Sequence, residues 1–417
     1  MTFDFEQKLD NYADLLVTHG LNVQAGQVVN ITGELIHRQL LQRVAAKAYR
    51  AGAKYVNIDL IDPWHARQRI LGSTDPEFLT YVPPFIPAKF NEIVDTHGAV
   101  LRFQGSEEPE ILADLPPEAV NNVRIHYMKS LKRYYDEGVS QSKMHWTVAA
   151  AATPKWGKRV FPELDEAAAC QALWEAIFSI CRVDKPNYLE LWQQHNFKLL
   201  KRAQLLTELK IKELHFTGPG TDLKVFLSPV ARFKGGGETG ARGVTYECNI
   251  PTEECFTTPD YRLTEGHARV TRPFLVNGKL IKGLTLKFKG GRIVDFHADE
   301  GAETFRTYIN SDEGACQLGE VALVGTDSPI FQSGRVFEEI LYDENAACHI
   351  AVGFAYRFCL EDGPQMTPEE LEALGCNTSN VHTDMMISDQ EVDIHATTHS
   401  GRHLPLILKG KWQEPFA

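Results

Sequence analysis

The chain of 417 residues lacks most of the signals that assign a protein quickly. Its eight cysteines, Cys170, Cys181, Cys248, Cys255, Cys316, Cys348, Cys359 and Cys376, include no CxxC pair, which excludes zinc-ribbon and thiol-redox motifs. No apolar run approaches the roughly 20 residues that a spanning helix needs. The opening stretch MTFDFEQKLDNYADLL has neither the basic patch nor the apolar run of a secretory signal. The expectation is a cytoplasmic protein with free thiols and no membrane partner. No GxGxxG follows the first predicted strand, no phosphate-loop GxxxxGK is present, and there is no internal repeat. Net positive charge is also missing. A formal charge of −12 argues against a broad electrostatic grip on nucleic acid or anionic lipid. It suits carboxylates gathered around metal cations.

What is present is a globular composition, 43% hydrophobic and 24% charged, over a length that favours two or three domains. Residues 4–19 place Phe5, Leu9, Tyr12, Leu15 and Leu16 at helical spacing. QVVNIT (27–32), YVNIDLI (55–61), AVLRFQG (99–105) and HWTVAAAA (145–152) read as strands, with a helix over 35–53 between the first two. The pattern predicts an α/β N-terminal domain, 1–190, with a largely parallel sheet. Residues 163–209 read as helical with a break at 183–188. Beyond them the pattern turns to alternation, with hairpin signals at VNGK (276–279) and KGGR (289–292). A β-rich α+β domain, 191–417, is therefore predicted. One helix, VFEEILYDENAACHIAVGFAYRF (336–358), is expected within it. The Gly-rich FKGGGETGARG (233–243) reads as a loop beside a site rather than a phosphate cradle.

Residues able to bind metal or move protons concentrate in this second half. In VHTDMMI (381–387), His382 and Asp384 share one face of a strand and can reach one cation; the bland alternative is a polar strand edge. His349 and Tyr356, seven residues apart on the expected helix, share a face, with Asn345 one turn earlier placed to hydrogen-bond the histidine. Ordinary core residues are the competing interpretation. Glu320 heads the apolar run VALV, where a carboxylate is costly unless paired or exposed. In NIPTEECFTTPD (249–260), Pro251 interrupts any regular ladder, so Glu253 and Glu254 fall on a turn or bulge where both can line one cavity. Carboxylates, histidines and a phenol without thiolate suit zinc, cobalt or manganese in a hydrolytic site.

These segments, with SDEGACQLGEVALVGTDSPI (311–330) and LYDENAACHIAVGFAY (341–356), resemble the aminopeptidase T and aminopeptidase S family of dinuclear metallo-aminopeptidases. Weaker matches at RVTRPF (269–274) and TPKWGKRVFP (153–162) extend the similarity through nearly the whole chain. The resemblance implies an N-terminal α/β domain, a metal-bearing C-terminal domain and a homodimer enclosing the active sites. It also implies release of N-terminal residues from peptides with a free N-terminus, using two divalent ions. Carried over motif by motif, the metal ligands fall on Glu254, Glu320, His349, His382 and Asp384, and the tyrosine on Tyr356. Cys255, Cys348 and His395 depart from the family pattern and bear on pocket shape.

Five ligands cannot fill two tetrahedral sites singly, so one carboxylate must bridge, and Glu320 is the candidate. Two-metal hydrolases hold their ions roughly 3.5–4 Å apart, within reach of such a bridge. Two divalent ions are neutralised by Glu254, Glu320, Asp384 and one hydroxide. Glu253 is then expected as general base toward the attacking water and Tyr356 as hydrogen-bond donor to the oxyanion. Two alternatives stand beside this: another metal-dependent amide hydrolase, and a non-catalytic binding protein with a structural metal.

Overall fold

Residues 4–417 are described in a computed structural model of the chain; the first three residues of the expected N-terminal domain lie outside them. Two compact units result. One comprises the chain up to Gln193 together with Gly237–Pro251, the other Gln194–Gly236 together with Thr252–Ala417.

In the first unit, Asp4 caps helix α1 (Phe5–Leu15) by accepting a hydrogen bond from the Gln7 amide at 2.8 Å, which satisfies one orphan donor of the first turn. Helix α2 (Arg38–Arg50) buries Leu40, Leu41, Val44 and Ala48, the stripe its periodicity predicts. Strands β1 (Val28–Glu34), β2 (Tyr55–Ile61), β3 (Ala99–Gln104) and β4 (His145–Ala150) form on the expected apolar runs. They pair in parallel in the order β2-β1-β3-β4, and the short strand Asn249–Ile250 adds beyond β4. Helix α3 (Glu166–Ile180) precedes the predicted break, and helix α4 (Tyr188–Glu208), of which the part from Gln194 onward belongs to the second unit, follows it.

The second unit holds an eight-stranded antiparallel sheet built largely of hairpins. Asn277 and Gly278 both have positive φ between Val276 and Lys279, as do Gly290 and Gly291 between Lys289 and Arg292. These are the turn conformations whose twist matches paired strands, so both hairpin signals were read correctly.

A smaller sheet carries the chemistry. It runs β5 (Cys255–Thr257), β6 (Leu318–Leu323), β7 (His349–Gly353), β8 (His382–Met386), each antiparallel to its neighbour. Period-two alternation divides its residues. Val321, Leu323, Ile350, Val352 and Met385 join the main hydrophobic core of the unit. The opposite face presents Glu320, His349, His382 and Asp384. Small residues separate them: Ala351 stands directly between Glu320 and Asp384, and Gly353 pairs with His382. The face is thus left open for ligand side chains.

The expected helix over 336–358 is a correction. Only Ile340–Asp343 is α-helical, followed by a 3-10 turn at Glu344–Ala346, and His349 begins strand β7. The run CHIAVGFAY is apolar throughout, and periodicity cannot tell a buried strand from a buried helix in such a run. The partners decide. Strands β6 and β8 offer ladders on both sides, and the Ser388 hydroxyl lies 2.8 Å from the Cys348 amide and accepts its hydrogen bond. Gly353 ends the strand at φ 100°, and a Cβ there would stand 2.0 Å from the Val381 carbonyl oxygen. His349 and Tyr356 therefore meet through a strand and a turn, not through helical spacing.

Candidate metal centre

Each ligand-type side chain owes its direction to a local feature. Gly319 forms a bulge in β6, between Leu318 opposite Val352 and Glu320 opposite Ala351, which re-aims Glu320 onto the open face. A side chain at Gly319 would place its Cβ 2.1 Å from the Phe354 carbonyl oxygen. Residues 251–254 lie outside regular structure between Asn249–Ile250 and β5, as Pro251 predicted. Gly235 of the Gly-rich segment lies against this stretch, since a Cβ there would be 2.8 Å from the Glu254 carbonyl oxygen.

The five expected ligands come together as two groups that share one member. Glu254, Glu320 and His349 form the first; Glu320, His382 and Asp384 form the second, with donor atoms in each group within 4.8 Å of one another. Glu320 faces both histidines with different oxygens, Oε1 at 3.7 Å from His349 Nε2 and Oε2 at 3.4 Å from His382 Nε2. Asp384 Oδ1 lies 3.8 Å from His349 Nε2 and 3.6 Å from His382 Nε2. Glu254 Oε2 lies 3.2 Å from His349 Nε2 yet is buried without an aligned hydrogen bond. The atoms converge on common points rather than on one another, which is what a cation requires.

Both imidazoles are oriented for this. His349 Nδ1 lies 3.2 Å from the Ala347 carbonyl oxygen and His382 Nδ1 lies 2.7 Å from that of Phe354. A carbonyl oxygen only accepts, so each Nδ1 carries a proton and each Nε2 is the nitrogen turned to the cluster.

The electrostatics show a surplus of negative charge. Burial pushes the Glu254 carboxyl above the usual range; His349 opposes the rise, while Glu320 and Asp384 add to it. Glu344, which the sequence analysis passed over, is raised well above its ordinary value by burial, then by Asp384 and Glu254. Burial acts against protonation of both histidines, but Glu254 and Glu320 hold His349 well above its ordinary value, and Asp384 and Glu320 do the same for His382. Asp384 ends below its usual range because His382 outweighs its burial. Three carboxylates and two imidazoles therefore make up the two groups, and divalent cations fit that donor set.

The histidine shifts have a measurable consequence. A pKa raised by folding contributes stability that is complete below about 6.5, the ordinary imidazole value, and is lost as pH rises through the raised value. Protein stripped of metal is expected to show a falling Tm from neutral to alkaline pH in calorimetry. A Tm that stays level over that range would mean the imidazoles are not held protonated.

Glu253 is placed apart from the two groups. Its amide donates to Asn345 Oδ1 at 2.7 Å, so Asn345 does not serve His349 as its spacing suggested. Asn345 in turn donates to the Leu341 carbonyl oxygen at 2.9 Å and to Glu344 Oε1 at 3.3 Å. Tyr356 lies beyond β7, its ring 5.4 Å from that of His382 and walled by Phe256, Phe354 and Phe358. Burial, then Glu320 and Asp384, raise its pKa well above the phenol value, so its hydroxyl stays a donor. Tyr356, Glu344 and His382 are crowded by protein yet partly accessible, which marks the open side of the recess. His395 lies elsewhere, exposed on the large sheet opposite His215.

Comparison with known proteins finds relatives over nearly the whole chain. A family model described as thermophilic metalloprotease (M29) matches residues 5–412. Aminopeptidase PepS of Streptococcus thermophilus is 35% identical over 417 residues, covering 98% of both chains. Aminopeptidase T of Thermus aquaticus is 36% identical over 412 residues, covering 98% of this chain and 99% of its own. The solved structure of wild-type AmpT from Thermus thermophilus superposes with a TM-score of 0.90 at 35% identity, covering 98% of this chain and all of that one.

Proposed function

Because this chain belongs to the thermophilic metalloprotease family (M29) and is a metal-dependent aminopeptidase, we propose that Glu254, Glu320, His349, His382 and Asp384 hold two divalent ions. Glu254, Glu320 and Asp384 bring three negative charges toward the four positive charges of two such ions. The observation that carries this reading is Glu320, whose two oxygens face the two histidines of two different groups. Zinc, cobalt or manganese suit imidazole and carboxylate donors. Bound there, such ions act as Lewis acids toward the scissile carbonyl and make water a stronger acid.

The remaining steps belong to side chains. Glu253 takes the proton of the attacking water and passes it to the departing amine. Tyr356, kept protonated by its surroundings, donates a hydrogen bond to the oxyanion of the tetrahedral intermediate. The substrates are peptides with a free N-terminus. We further read the protein as a cytoplasmic homodimer. Its eight free cysteines support the compartment, and exposed Leu60, Trp64, Phe78, Tyr81 and Phe85 in the first unit support association. Among the described residues no helix is long and apolar enough to cross a membrane.

The test combines metal analysis with turnover of aminoacyl-arylamides and their N-acetylated analogues, before and after chelation. About two ions per chain are expected, as in two-metal hydrolases. Chelation should abolish activity, one of the three metals should restore it, and acetylated substrates should resist cleavage. Undiminished turnover by metal-free protein, or equal cleavage of acetylated substrates, would sink the reading.

A further inference from the structure

Glu253 is held at two points by two different partners. Its backbone is held through its amide by Asn345, as described above. Its carboxylate is approached by a residue that the sequence analysis did not single out: Oε2 lies 3.5 Å from His195 Nε2. That same Nε2 is 2.7 Å from the Thr252 carbonyl oxygen. A carbonyl oxygen only accepts, so Nε2 carries a proton and donates. The N–H is directed to the carbonyl of residue 252, and the carboxylate of residue 253 lies 3.5 Å from the same nitrogen.

Two features make this contact suited to positioning. The side chains of His195 and Glu253 are 12% and 8% exposed, so the contact is shielded from water, where a hydrogen bond is electrostatically stronger. His195 also sits on α4, a 21-residue helix, so the donor hangs from a rigid element while Glu253 lies in an irregular stretch. Without such a donor, the carboxylate of a residue outside regular structure samples several rotamers.

We propose that His195 is a positioning residue for Glu253: its Nε2–H, anchored on the Thr252 carbonyl, fixes the Glu253 carboxylate in the orientation from which it accepts the proton of water. The proposal rests on the reading of Glu253 as general base. The effect assigned to His195 is the one that passes through its contact with Glu253.

The test uses the full-length, metal-loaded enzyme and four variants: His195→Phe, His195→Gln, Glu253→Gln, and the double variant H195F/E253Q. Phenylalanine keeps the ring and removes the donor; glutamine places an amide N–H near the position of Nε2. H195F is expected to lower kcat about 10–100-fold, the usual range for a residue acting behind the reacting groups. KM and metal content should stay at the parent values. H195Q is expected to restore most of the rate, and the double variant to be no slower than E253Q. If H195F does not fold, His195→Leu takes its place. An H195F enzyme with parent kcat, an H195Q as slow as H195F, or a double variant slower than E253Q by the full H195F factor would each overturn the proposal. The two readings fail differently: normal turnover in E253Q removes the general base itself, whereas slow E253Q beside normal H195F removes only the positioning role.

Discussion

Glu320→Gln is expected to lower kcat/KM by at least about 100-fold, because losing a shared ligand should exceed the roughly 10–100-fold cost of losing a residue that only supports a ligand. The substitution keeps shape and removes one negative charge. That charge is the one shared: Glu320 faces His349 with one oxygen and His382 with the other. Both groups of candidate ligands lose a member at once, so metal content should fall by more than it does in a variant touching only one group. Glu254→Gln is the matched comparison, since Glu254 belongs to the first group alone. Metal analysis by mass spectrometry and steady-state kinetics on one aminoacyl-arylamide read the two quantities separately. A Glu320→Gln protein with full metal content and parent kcat/KM would dissolve the shared-carboxylate assignment.

The second large effect is expected at Glu253, and of a different kind. General acid–base catalysis contributes about 10²–10⁴-fold, so Glu253→Gln should reduce kcat within that range. Metal content should stay at the parent level, because Glu253 stands outside both ligand groups. Its backbone bond to Asn345 survives the substitution, so the stretch 251–254 keeps its course. The adjacent Glu254→Gln should reverse the pattern, with metal lost first and turnover lost as a consequence. An exchange of these two phenotypes would exchange the two roles and leave the site in place.

The neighbours Glu253 and Glu254 also show where sequence reasoning stops. The tandem carboxylates and the proline before them could be seen as a candidate pair in a kinked stretch. What separates the two is tertiary: Glu254 lies 3.2 Å from His349 and Glu253 3.5 Å from His195, residues remote in the chain. Glu344 went unnoticed for the same reason. Nothing about its spacing distinguishes it from a surface charge, and only burial, with the charges of Asp384 and Glu254 raising its pKa, sets it apart.

Local features were legible because their physics is local. Side chains two apart on a strand share a face whatever surrounds them, so His382 and Asp384 were paired from the sequence by itself. Asn-Gly and Gly-Gly accept positive φ wherever they occur, so both hairpins were determined by their own residues. The alternating apolar runs of the first unit likewise determined β1 to β4. The segment 336–358 is the counterexample. Its apolar residues satisfy a helix and a buried strand equally, and the choice was made by β6 and β8 pairing on either side. Tertiary structure alone decided that His349 enters the site from a strand, that a bulge at Gly319 turns Glu320 toward both histidines, and that His195 reaches Glu253. Each depends on contacts between residues distant in sequence, and periodicity along one chain carries no information about which distant partner will arrive.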